Sequence, residues 1–93
     1  MTRKAAHVIF EGRVQGVFFR ANTQKKARGM GITGWVRNMD NGSVEAFFEG
    51  EAQDIRSIIE EISQGNGMGA ARVDNSQVRW SDPECFADFD VLR

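Results

Sequence analysis

The dipeptide Asn41-Gly42 stands between two runs of alternating apolar and polar residues, TGWVRN before it and SVEAFFEG after it, and no other feature constrains the fold as much. Asn-Gly accepts the positive φ values of a tight turn, so the two runs are predicted to be neighbouring antiparallel strands. In the second run Val44, Ala46 and Phe48 share one face, opposite Ser43, Glu45, Phe47 and Glu49. The apolar face of such a hairpin needs a covering layer. Residues 51–64 supply one, because Ala52, Ile55, Ile58, Ile59 and Ile62 recur at spacings of three and four and form a single helical stripe.

The rest of the chain repeats this logic. Residues 5–13, AAHVIFEGR, alternate as a strand with Ala6, Val8 and Phe10 on one face and His7, Ile9 and Glu11 on the other. Gly12 and Gly16 bracket a loop, and residues 21–30 read as a helix with Thr23, Ala27 and Met30 on one side and lysines on the other. Gly29 and Gly31 end that helix. QGNGMG closes the second helix, and AARVDNSQVRW and CFADFDVLR read as further strands separated by the turn composition SDPE. The order β-α-β-β-α-β predicts an α+β, ferredoxin-like split βαβ sandwich: an antiparallel sheet of four to five strands with two helices on one face. A short C-terminal strand is expected to pair with the fourth. With 93 residues, 41% of them hydrophobic, residues 1–93 are expected to form one domain with a core of its own.

The formal net charge of −1 conceals a division. Residues 12–39 hold Arg13, Arg20, Lys25, Lys26, Arg28 and Arg37 and no Asp or Glu, whereas the remainder carries all thirteen acids against six bases. This division implies an anionic ligand for the basic segment, although Lys25, Lys26 and Arg28 read rather as charges that solvate a helix face. A single cysteine, Cys85, rules out an internal disulfide. The early glutamate is unlike an export signal, and no apolar run approaches the length of a membrane span. A cytoplasmic monomer without membrane or nucleic-acid partners is therefore expected.

The loop at residues 13–20, RVQGVFFR, carries the chemistry. A glycine-containing turn from strand to helix gathers backbone N–H groups, and the first N–H groups of the helix have no partners within it. With the positive end of the helix dipole this makes an anion cradle, and Arg20 at its edge can grip two phosphate oxygens. The loop is neither a Walker loop nor a dinucleotide fingerprint, lacking the Gly-Lys-Ser/Thr of one and the third glycine of the other. Val17, Phe18 and Phe19 also have a plain reading as hydrophobes folding back into the core, which at least one phenylalanine is expected to do.

GRVQGVFFR followed by GWVRNMDNGSVE resembles the paired motifs of the acylphosphatase family, small enzymes that hydrolyse the carboxyl-phosphate anhydride. The likeness extends through FEGE before the second helix, ARVD after it, and the ending FDVLR, which is similar to the family's Phe-x-Ile-Arg; the loop GNGMGAARVD lacks the proline common there. The resemblance implies phosphate binding by the main chain of Gln15, Gly16, Val17, Phe18 and Phe19 with Arg20, and catalysis by Arg20 and Asn38, the latter holding the attacking water. Without the resemblance, Asn38 reads as an ordinary hairpin asparagine.

The composition fits such a reaction. An acyl phosphate already has a good leaving group, so what remains is to gather charge on the phosphoryl oxygens and hold a water in line. His7 is expected on the sheet surface, and one histidine with one cysteine cannot build an ordinary zinc site without carboxylates. No metal or cofactor is expected. Cys85 reads as a structural thiol, and Trp35 and Trp80 as sheet packing. The competing reading is a non-catalytic ferredoxin-like module for RNA or a small anion. Against RNA, the face of the third strand opposite the core carries Glu45 and Glu49, which would repel a phosphate backbone.

Overall fold

The computed structural model describes residues 3–93. Its elements run β1 (Arg3–Arg13), α1 (Phe19–Gly29), β2 (Thr33–Asn38), β3 (Val44–Glu51), α2 (Ala52–Ser63), β4 (Arg72–Ser81) and β5 (Phe89–Val91). The first four strands pair antiparallel as predicted, and the sheet order is β4-β1-β3-β2-β5. Both helices pack on the face that carries Ala6, Val8, Phe10, Val36, Val44, Ala46 and Phe48. The helical stripe Ile55, Ile58 and Ile62 is fully buried there, with Ile59 at its margin. Each such side chain contributes about 1.5–3 kcal/mol on burial.

The hairpin turn differs in detail from the sequence expectation. The Gly42 N–H donates to the Met39 carbonyl at 3.2 Å and the Met39 N–H to the Ser43 carbonyl at 2.9 Å. Asp40 and Asn41 form the corner, and Gly42 alone takes a positive φ, of 93°. Asn41 uses its side chain instead, accepting the Ser43 N–H at 3.1 Å. Helix α1 begins two residues earlier than its pattern suggested and ends in a Schellman arrangement: Ile32 N–H to Ala27 C=O at 2.8 Å, with Gly31 at φ 72°.

The largest departure is the C-terminal strand. β5 pairs not with β4 but in parallel with β2, at the opposite edge, which makes the sheet mixed. Residues 82–88 must therefore cross the face that the helices leave open. They do so as a strap: the N–H groups of Glu84, Cys85 and Phe86 all donate to the carboxylate of Glu49, which is fully buried, and the Asp88 carbonyl accepts the Gly34 N–H at 2.9 Å where the strap reaches β2. The Phe86 ring meets Phe47 edge-on at 5.9 Å. The strap delivers Phe89 to the other face, where it stacks on Phe48 at 5.7 Å with no exposure, and this contact pins the three-residue strand. Strand β3 is thus covered on both faces.

Candidate active site

The loop between β1 and α1 is shaped by two left-handed residues. Gly16 has φ 73° and Phe18, the residue before the helix, φ 60° and ψ 25°. Alternation of this kind turns successive N–H groups toward one concavity. Among the described residues, no N–H from Gln15 to Ala21 donates to a backbone carbonyl outside its own helix or strand; the first bond of the helix start is Asn22 N–H to Phe18 C=O at 3.0 Å. Gly16, Phe18, Phe19, Arg20 and Ala21 border a cavity of about 320 Å³ together with Asn38, Val91 and the buried Val14. A neighbouring hollow of about 870 Å³ shares Arg20, Asn38 and Val91 and adds Gln15, Met39, Asp40 and Arg93.

Each side chain is placed by a different part of the fold. Val14 and Phe19 are buried and hold the two ends of the loop to the core, where Phe19 packs on Phe10 at 5.5 Å. Gln15 bridges to the hairpin, its amide donating to the carbonyls of Met39 and Ser43 at 2.8 Å each. Arg20 donates to the Leu92 carbonyl at 2.9 Å, and Leu92 is held in turn by its own N–H on Val36 C=O at 2.8 Å. Gln24, one turn further along α1, donates to Phe89 C=O at 2.9 Å. Asn38 ends β2 and is exposed at the cavity wall.

The structure therefore brings Gly16, Phe18, Phe19, Arg20 and Asn38 to one cavity. Gln15 borders only the adjoining hollow, and its side chain is spent on the hairpin. Val17 lines neither space; its side chain packs on the core, leaving only its backbone for the loop. Of the two phenylalanines, Phe19 is the buried one and Phe18 is 82% exposed. Sequence reasoning missed the role of the C-terminal residues: Val91 and Arg93 border the site, and the Leu92 carbonyl holds Arg20. The motif FDVLR was visible, but nothing in its composition says that it folds back beside α1.

The basic segment is resolved into two groups. Lys26 pairs with Glu61 at 2.9 Å, Arg28 with Asp88 at 2.9 Å, and Arg37 with Glu45, so half of its cations hold elements together. The Phe89 N–H and then Arg28 hold the Asp88 carboxyl below its usual range. Arg20 has no ion-pair partner among the described residues and donates to a neutral carbonyl at the cavity. On the open face, His7 hydrogen-bonds the Glu45 carboxylate beside Arg37, so the lone histidine is a sheet-surface residue as expected. Burial alone would raise the Glu45 pKa, but the hydrogen bonds from His7 and Arg37, with the charges behind them, hold it below its ordinary value. Trp35 stacks on Phe47 at 6.1 Å, and Trp80 lies under the Arg56 guanidinium at 5.3 Å.

Comparison with known proteins gives the family. The acylphosphatase family model matches residues 6–91. An acylphosphatase of Haloarcula marismortui is 43% identical over 91 residues, covering 98% of both chains. The crystal structure of acylphosphatase from Bacillus subtilis superimposes with a TM-score of 0.90 at 33% identity, over 97% of this chain and 99% of that one. An acylphosphatase structure from Coxiella burnetii gives 0.89 at 37% identity, over 97% and 93%. The chain belongs to the acylphosphatase family and is an acyl phosphate hydrolase.

Proposed function

We propose that the chain hydrolyses acyl phosphates by seating the phosphoryl group in the loop from Gln15 to Phe19, under Arg20, with the attacking water held by Asn38. The carrying observation is that Arg20 and Asn38, from different elements, border one cavity with a run of N–H groups that have no backbone partner there. Donors fixed in advance around the phosphoryl oxygens stabilise the charge that accumulates in the transition state. Removing one such donor costs about a hundred- to thousandfold in rate. The Asn38 amide has both an acceptor and a donor, so it can orient a water without deprotonating it. The proton then passes to the substrate's own phosphate as the P–O bond to the carboxylate breaks. Arg20 is preoriented by Leu92, and a guanidinium keeps further N–H groups free for the phosphate. Every residue in this account comes from one chain, so a monomer suffices, and the proposal needs no metal.

The RNA-module reading is not favoured. The open-face aromatics that would stack on bases are packed on one another, Phe47 between Trp35 and Phe86. The test is a pair of substitutions read against hydrolysis of benzoyl phosphate. Arg20→Ala is expected to lose nearly all kcat/KM while the far-ultraviolet circular dichroism stays native. Asn38→Ala is expected to lower kcat about a hundredfold with competitive inhibition by inorganic phosphate retained. Turnover close to wild type in Arg20→Ala, or parallel loss of rate and phosphate inhibition in Asn38→Ala, contradicts the assignment.

A further inference from the structure

Phe18 is the feature of this site that the fold does not explain. It is the most exposed large hydrophobic residue among those described, at 82%, whereas its neighbour Phe19 is buried at 2%. Its backbone is left-handed, at φ 60°, a region that bulky side chains seldom occupy and that glycine or asparagine would fill with less strain. Neither core packing nor backbone preference accounts for a phenyl ring there.

The site reading proposed above supplies a use, and the following inference rests on it. In an in-line displacement the entering water and the departing carboxylate occupy opposite apices of the phosphorus. Asn38, which holds the water, borders both spaces, and its neighbours on that side, Met39 and Asp40, belong to the hairpin. Met39 and Asp40 border the hollow and not the cavity, so a water held by Asn38 on that hairpin side directs the leaving group away from it, over the start of α1. The residues that line the cavity but not the hollow are Val14, Gly16, Phe18, Phe19 and Ala21, and of the large apolar ones only Phe18 is exposed.

We propose that the Phe18 ring is the contact for the acyl portion of the substrate and sets a preference for aromatic or branched apolar acyl phosphates over acetyl phosphate. A flat apolar acyl group laid against the ring removes apolar area of both from water, and aromatic pairs gain further from offset stacking. Contacts of this size in an enclosed pocket discriminate by about 10–200-fold, so an open rim belongs at the low end, near tenfold.

The experiment measures kcat/KM for benzoyl phosphate and for acetyl phosphate in the wild type, Phe18→Ala, Phe18→Asn and Phe18→Trp, and reads the ratio of the two substrates. A change in loop conformation alters both substrates alike and cancels in that ratio. The ratio is expected to fall about tenfold in Phe18→Ala and in Phe18→Asn, the latter keeping a residue suited to the left-handed backbone, and to be retained in Phe18→Trp. A ratio within twofold of wild type in both truncations overturns the assignment of Phe18 while leaving the reaction intact. Failure of the wild type to hydrolyse either substrate overturns the site reading itself, and this inference with it.

Discussion

Replacing Glu49 by alanine removes the acceptor for three N–H groups of the strap, those of Glu84, Cys85 and Phe86. Hydrogen bonds to an ionised acceptor contribute about 1.5–3 kcal/mol each, yet two of these donors lie on exposed residues that water can reach once the carboxylate is gone. The variant also no longer buries a charge, which offsets part of the loss. A net destabilisation of about 2–4 kcal/mol is expected, a large share of the roughly 5–14 kcal/mol available to a chain of this length. Urea unfolding should show a lower midpoint at an unchanged slope, and the melting temperature should drop by roughly 10–25 °C. The consequence extends to the site, since the strap leads through Phe89 to the Leu92 carbonyl that orients Arg20. Competitive inhibition by inorganic phosphate should therefore weaken several-fold under conditions where the variant is still folded. Glu49→Gln, which keeps one carbonyl acceptor but brings an NH₂ toward the donors, should fall between wild type and alanine. Stability within about 0.5 kcal/mol of wild type would show that the strap is held by other contacts, and lost stability with unaltered phosphate inhibition would break the link from strap to site.

Gly34 sits at φ 134°, where an added Cβ would come within 1.7 Å of the Phe47 carbonyl oxygen; Gly34→Ala should cost at least about 3 kcal/mol or abolish the folded state, as read by far-ultraviolet dichroism. The hydrogen bonds from His7 and Arg37 hold the Glu45 carboxyl below its ordinary range, so its ion pairing adds stability that is present above the ordinary carboxylate range and is lost as the pH falls through the lowered folded value. In Glu45→Gln that part of the acid dependence of the unfolding midpoint should flatten, and an unchanged pH profile would contradict the pairing with His7 and Arg37.

Much of the fold was legible because its signals are local. The alternation of β1 and β3, the isoleucine stripe of α2 and the glycine stop after α1 each follow from residues within a few positions of one another. The course of the C-terminus was not, since the pattern of CFADFDVLR suits a strand without saying which edge it joins. Its path is decided by Glu49, more than thirty residues earlier, whose buried carboxylate reads in the sequence as an ordinary polar position on an alternating strand. For the site, Arg20 and Asn38 were named from motifs, and the loop chemistry made Arg20 a candidate on its own. That the two meet at one cavity, that Gln15 serves the hairpin and that Val17 turns inward are facts of tertiary packing.

The central claim, that the N–H groups at the start of α1 and the Arg20 guanidinium grasp a phosphoryl group, is tested most directly by titrating inorganic phosphate into the ¹⁵N-labelled protein. The account predicts saturable shifts concentrated on the amides of Gly16 through Arg20 and on the Arg20 side chain, with the Asn38 amide following and the same amides losing their response in Arg20→Ala. Shifts centred instead on the cleft of Lys4, Arg56 and Trp80, with the loop amides unmoved, would contradict it.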